Sequence, residues 1–340
     1  MDSGKAVFAI AATAVTVVAA IAQQTATPIT LYVVANEKSG APVSGLQKQD
    51  FTVLDNGQPQ QLTGFQAVTG DNSDAEIVLV LDAVNTSFTR VAFARTQIDK
   101  FLKQEGGRLA QPVSIGIFTD AGLDMQPTGS RDGNALAAYM DQKETGLRAS
   151  NRSQGFYGAA DRSQFSLRAL QELSAFEQKR PGRKLVIWLS PGWALLSGPR
   201  IQLSAKDQQQ IYQSVAGISD ELREAGITLY MVDPAGTAGD IGLRDFYYEQ
   251  FLKPLTKPKD ALFGDLALQV FAVHSGGRVL NASNDVAAEI ARCARDANDY
   301  YVLTFNAAPS DGPGVYNAIQ VKIANSKIKP QTISGYYSQP

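Results

Sequence analysis

The chain has one cysteine and one histidine in 340 residues, and these two scarcities exclude several chemistries at once. A lone Cys293 permits no intrachain disulfide, so stability has to come from packing. Paired His-x-x-x-His and Cys-x-x-Cys zinc patterns are impossible. No G-x-S-x-G elbow and no G-x-x-x-x-G-K phosphate loop occurs, which removes the two commonest short signals of acyl and phosphoryl transfer. Charge of one sign is lacking too. With 31 basic and 33 acidic residues and a formal net charge of -2, the chain has no global field to attract nucleic acid or an anionic membrane. The remaining enzyme reading is an exported hydrolase with a carboxylate pair, and no feature selects such a pair from the 33 acids. His274 closes the apolar run DLALQVFAVHSGG, where it is expected to bond the last carbonyls of a helix. Cys293 shares an apolar helix face with Val286, Ile290, Ala294 and Ala297 and is expected to be a buried structural thiol. KRPGRK, residues 179–184, is expected to be a solvated turn entering a strand.

What is present begins with an export signal. Residues 1–22 carry Lys5, then an Ala-rich apolar run, then Ala20-Ile21-Ala22 with small residues where a signal peptidase reads. The chain is therefore expected to be exported, periplasmic or extracellular, with no membrane attachment once the signal is removed; retention as an anchor is the alternative. With 44% hydrophobic residues the rest is long enough for two domains. Residues 28–68 hold short β-type runs broken by SGAP and DNGQP, and GDNSDAE looks like a polar linker. From 76 to 298 the pattern becomes strand then helix, repeated. Near-continuous apolar strands such as KLVIWLS and ITLYMVD alternate with amphipathic helices, as in a mostly parallel sheet covered on both faces. β character returns in YYVLTF, YNAIQVKIA and TISGYY. Two β segments of this size are marginal alone but can close one sandwich. The expected architecture is an α/β domain over 74–298, with a doubly wound sheet, inserted into a discontinuous β-sandwich made of 28–68 and 300–340.

The ordered fragments PVSGLQKQDFTVLDNGQPQQLTGF, IVLVLDAVNTSF, PGRKLVIWLSPGW, LYMVDPAG, SGGRVLNASND and DYYVLTFNAAPSDGPGVYNAIQVKI, ending in GYY, are similar to the VWFA-related exported proteins abundant in acidobacteria. The central part resembles the von Willebrand factor type A fold. That resemblance implies a ligand-binding edge at the C-terminal ends of the strands, where open α/β sheets place their sites. In metal-binding members the first loop reads Asp-x-Ser-x-Ser, a Thr comes from a second loop and an Asp from a later turn. Here the first loop is Asp82-Ala83-Val84-Asn85-Thr86, and the turn after KLVIWL is Ser190-Pro191-Gly192. Val84 offers no oxygen and Ser190 stands where an acid is expected, so the cage for Mg2+ or Ca2+ is short of ligands.

No cofactor is therefore expected, with Asp82, Thr86, Asp120 and Asp233 left as residual metal candidates. Asp82 and Asn85-Thr86-Ser87 are expected to cap the following helix. The functional expectation is a non-enzymatic binding or scaffold protein that meets a protein partner through this edge. Arg148, Arg152, Tyr157, Trp193 and Asp233 are its candidate contact residues, because aromatics and Arg dominate hot spots. For Trp193 the alternative, local cover over the sheet, stays open; Leu195, Tyr247 and Tyr248 belong to the same long loops. A metal-dependent adhesion module remains the third reading.

Overall fold

The structure, a computed structural model, describes residues 27–38, 40–143, 155–196, 202–236, 248–308 and 312–339. The expected export signal, Arg148, Arg152 and Tyr247 lie outside the described residues, as does the side chain of Tyr157.

A mostly parallel sheet forms the middle of the chain. Its strands are β5 (Glu76–Asp82), β6 (Arg108–Thr119), β7 (Gly122–Met125), β8 (Ser130–Asp132), β9 (Lys184–Leu189), β10 (Ile227–Val232) and β11 (Val279–Leu280). The order across it is β11-β10-β9-β5-β6-β7, with β8 also pairing with β6. The strands from β11 to β6 run parallel, and β7 and β8 are antiparallel. Among the described residues six helices accompany them: α1 (Phe88–Leu102), α2 (Gly133–Gln142), α3 (Gly155–Glu177), α4 (Ala205–Glu224), α5 (Leu268–His274) and α6 (Val286–Arg295).

Alternation along the strands divides the core in two. Ile77, Leu79 and Leu81 of β5 face α1, α2 and α6, with Val91, Ile98, Met140 and Ile290 opposite them. Val78 and Val80 face α3, α4 and α5, against Leu170, Leu173, Ile218 and Phe271. Successive side chains of a strand point to opposite faces, so an unbroken apolar run demands cover on both sides. Cys293 lies in the first of these clusters and is buried, and burial raises its thiol pKa well above the ordinary value.

Two antiparallel sheets flank this unit. One has the order β14-β1-β12-β4, built from β1 (Pro28–Glu37), β4 (Leu62–Val68), β12 (Tyr300–Asn306) and β14 (Ile328–Gln331). The other has the order β15-β13-β2-β3, built from β2 (Phe51–Asp55), β3 (Gln58–Gln60), β13 (Tyr316–Ile323) and β15 (Gly335–Tyr337). N-terminal and C-terminal strands pair in both sheets: β1 with β12 and β14, β12 with β4, and β13 with β2. Their shared core holds Leu31, Val33, Val53, Leu303, Phe305 and Val321.

The same alternation ties the units together. Tyr301 and Tyr336 point into the sandwich core, while their neighbours Tyr300 and Tyr337 point into the two cores of the α/β unit. Each hydroxyl finds an acceptor: Tyr300 donates to Asp74 Oδ1 at 2.8 Å, Tyr301 to the Val43 carbonyl at 3.0 Å, Tyr336 to Asp55 Oδ2 at 2.8 Å and Tyr337 to the Leu255 carbonyl at 3.0 Å. The carbonyls ending α5 are reached from the C-terminal strands, since Ser334 N–H donates to the His274 carbonyl and Gln331 Nε2 to the Gly276 carbonyl. Gly276 has φ +86°, and a Cβ there would lie 2.6 Å from the Thr332 carbonyl carbon, so this approach needs glycine.

Two expectations are corrected here. The His274 ring does not bond the last carbonyls of its own helix. Its Nδ1 faces Ser334 Oγ at 2.6 Å, because the C-terminal chain crosses the helix end at that point. KRPGRK is solvated only in its first part: Lys179 and Pro181 are exposed in the turn, but Arg183 and Lys184 are 1% and 2% exposed. Arg183 donates to the Asp296 carbonyl at 2.6 Å, and its guanidinium lies 4.6 Å from the Tyr300 ring centroid and 5.7 Å from that of Tyr32. Arg183→Ala removes a desolvated cation–π pair and leaves a cavity, and it is expected to lower the unfolding free energy by at least about 3 kcal/mol, read by urea denaturation.

Candidate functional site

The C-terminal ends of β5, β9 and β10 bring Asp82, Ser190 and Asp233 to one edge of the parallel sheet. Asp82 is fully buried there, and donors surround its carboxylate. Oδ1 accepts from the backbone N–H of Val84 at 2.9 Å and of Asn85 at 2.8 Å. Oδ2 accepts from Asn85 Nδ2 at 3.0 Å and from the Trp188 indole at 3.1 Å. Asn85 also bonds Ser166 Oγ at 2.9 Å, which anchors the loop to α3.

The capping expectation is corrected by this geometry. Ser87 is the N-cap of α1 and makes no side-chain cap bond; the Asp82 carboxylate organises its own loop and the indole behind it. Four N–H groups, one of them deep in the core, use the lone pairs that a cation would otherwise take. Thr86 is buried with no hydrogen-bond partner for its hydroxyl, Asp233 is buried with Oδ1 accepting from Ala235 N–H at 2.8 Å, and Asp120 is exposed on the turn between β6 and β7. Among the described residues no group of three or more His, Cys, Asp or Glu side chains gathers in a metal-holding arrangement.

Trp193 takes the role of cover. It is 2% exposed, and its ring meets Trp188 edge to face at 5.7 Å between centroids. A side chain so enclosed cannot anchor a partner, so its expected contact role is corrected to packing over the sheet. Leu195 likewise packs with Tyr248 on the cluster of Phe251, Ala267 and Val270. Of the five candidate contact residues, then, Trp193 and Asp233 are buried; the side chains of the other three are not described.

The aromatics that do face solvent were missed by sequence reasoning. Phe88, the first residue of α1, is 64% exposed and Phe93 is 41% exposed. A signal existed for Phe93, which falls off the buried stripe of Val91, Ala94, Ile98 and Leu102. Phe88 is three residues before Val91 and belongs to that stripe by spacing alone.

A second group lies where α4, α5 and β15 meet. A cavity of ≈ 30 Å³ there, room for one water, is lined by Asp265, His274 and Tyr337 among others. Burial pushes the Asp265 carboxyl up to about 6, although it accepts from Leu262 N–H at 2.8 Å. Burial also lowers the pKa of His274.

No family profile matches the chain, and no curated protein matches it. Solved structures with distant likeness include an aerotolerance-related membrane protein from Bacteroides fragilis, with 13% identity over 66% of this chain and 98% of that one at a TM-score of 0.36. The pilus adhesin SpaC from Lactobacillus rhamnosus GG in its open conformation shares 10% identity over 87% of this chain and 48% of its own, at a TM-score of 0.40. Manganese-loaded Plasmodium vivax TRAP protein shares 10% identity over 83% of this chain and 98% of that one, at 0.34. These likenesses are too distant to carry a ligand or a partner across.

Two outcomes follow from the geometry. Asp82→Ala strands the Trp188 indole and two backbone N–H groups, and Trp193→Ala opens a large cavity; each is expected to cost about 3–5 kcal/mol, seen as a lower Tm without any added cation. The raised Asp265 pKa means that the folded state holds its proton more tightly than the unfolded chain. Its contribution is present in full below about 4 and is lost as pH rises through about 6. Asp265→Asn, which keeps an acceptor for Leu262, is expected to flatten that fall in a pH series of melts and to raise Tm at pH 7.

Proposed function

We propose that the chain is an exported, non-enzymatic binding or scaffold protein that meets a protein partner at the C-terminal edge of its parallel sheet, without a bridging cation. The observation that carries the reading is the pair of exposed aromatics, Phe88 and Phe93, on α1 beside a loop whose acid is committed to internal donors. Aromatic side chains supply much binding area at little entropic cost and are enriched in hot spots. Asp120 adds an exposed charge on the neighbouring turn, held beside the Asp82 loop by the Ala83 N–H bond to the Phe118 carbonyl at 2.8 Å.

The domain reading belongs to the same proposal. Residues 74–298 act as a type A-like domain inserted into a discontinuous sandwich of 28–68 and 300–340, as the resemblance to the VWFA-related exported proteins of acidobacteria implies. Strand pairing between β1 and β12 and between β2 and β13 supports it. Export rests on the composition of residues 1–22. Among the described residues no helix is long and apolar enough to cross a membrane.

The test is recovery of the partner from the exported fraction by cross-linking, followed by binding measurements with that partner purified. Phe88→Ser combined with Phe93→Ser is expected to weaken binding at least tenfold, about the loss of one hot-spot residue, while Tm holds because both rings are exposed. Unchanged affinity would place the contact elsewhere.

A further inference from the structure

At the opposite end of the parallel sheet a cleft of ≈ 170 Å³ opens between the last turn of α1, the start of β6 and the outer side of α6. It lies beside Asn298, where the chain leaves the α/β unit for β12. Its floor is apolar and rigid, since Ile77, Phe101 and Val113 are buried core residues that line it. Ala291 and Ala294 of α6 form another wall, and the space exists because these positions are small.

The polar side of the cleft is made mostly of donors. Arg108 and Arg295 both line it, both are exposed, and neither guanidinium has a hydrogen-bond or ion-pair partner among the described residues. Of the lining amides, Gln104 is exposed and Gln111 is engaged. Gln111 Nε2 donates to the Gly70 carbonyl at 3.3 Å and to Asn298 Oδ1 at 3.2 Å, and Gln111 Oε1 accepts from Arg131. Glu105 is the one acid on the lining; it is exposed, in the left-handed turn after α1 with φ 51°. A guanidinium offers a planar fork matched to a carboxylate, so two unengaged forks above an apolar floor specify an anion with an apolar body. A cavity of about 150 Å³ accommodates benzene, which sets the scale of that body at one aryl ring or a branched aliphatic group.

We propose that this cleft is a binding site for a small free carboxylic acid with an apolar body. The body would rest on Phe101, Val113 and Ala294, and the carboxylate would sit at the mouth between Arg108 and Arg295. The site is separate from the edge proposed for the partner, and neither reading depends on the other.

The experiment titrates 3-phenylpropionate into the full chain by calorimetry and by protein-observed NMR, alongside 3-phenylpropan-1-ol, propionate and a tripeptide acid ending in Phe. The expected result is saturable binding of phenylpropionate, at least about tenfold tighter than the alcohol or propionate and weakened by salt as an ion pair should be. Arg108→Ala with Arg295→Ala should reduce affinity at least about tenfold without changing the fold, because both side chains are exposed. Ala291→Phe should abolish binding by filling the cleft. No saturable binding at millimolar acid, equal affinity for acid and alcohol, or full affinity in the double Arg variant would overturn the proposal. Tighter binding of the tripeptide than of the free acid would overturn the assignment to a free acid.

Discussion

Arg183 is the residue on which the two halves of the molecule depend. A cation with 1% exposure is costly to desolvate, and its Nε has no hydrogen-bond partner. What compensates is drawn from both units: the ring faces of Tyr32 and Tyr300 from the antiparallel sheet, and the Asp296 carbonyl from the segment after α6. Glu76 N–H donates to the Arg183 carbonyl at 2.9 Å, so the start of β5 is aligned by the same residue. Asp296 is shared further, accepting from Tyr230 at 2.7 Å and pairing with Arg278. Separating the units would take both ring faces away from the Arg183 guanidinium, so the sandwich and the α/β unit hold a defined relation.

That relation leaves the opposite end of the parallel sheet free for contact. At the C-terminal edge the strands end in Asp82, Ser190 and Asp233, all buried, and the loop after β9 folds Trp193 back over the sheet. The edge is thus filled from within, and its solvent-facing chemistry shifts outward to the first turns of α1. An acid that accepts from four N–H groups stabilises a loop shape, and the loop shape sets where Phe88 stands.

Both candidate surfaces depend on where small and large side chains fall on helices that flank the sheet. On α1, the stripe of Val91, Ala94, Ile98 and Leu102 is consumed by the core, and Phe93 is left outside it. On α6, alanines at 291 and 294 leave room that larger residues would close. A helix packed on a sheet thus carries two kinds of information, one in the residues it buries and one in those it withholds.

The alternation of strand and helix, the two-sided burial of β5, β9 and β10, and the burial of Cys293 were legible in the sequence, because each follows from local periodicity and apolar runs. The β character of both chain ends was legible for the same reason. Which strands pair was decided only in three dimensions, since β1 beside β12 joins residues more than two hundred positions apart. The same holds for charge and aromatic placement. KRPGRK looks solvated by composition, yet Arg183 is buried because Tyr32 and Tyr300 arrive from distant strands to receive it. Trp193 looks like an anchor on a long loop, yet Trp188 below it offers a ring edge and an apolar seat. Periodicity reports which face of an element is apolar; it carries no information about which remote side chain will cover that face, and at this edge the covering side chains decide the site.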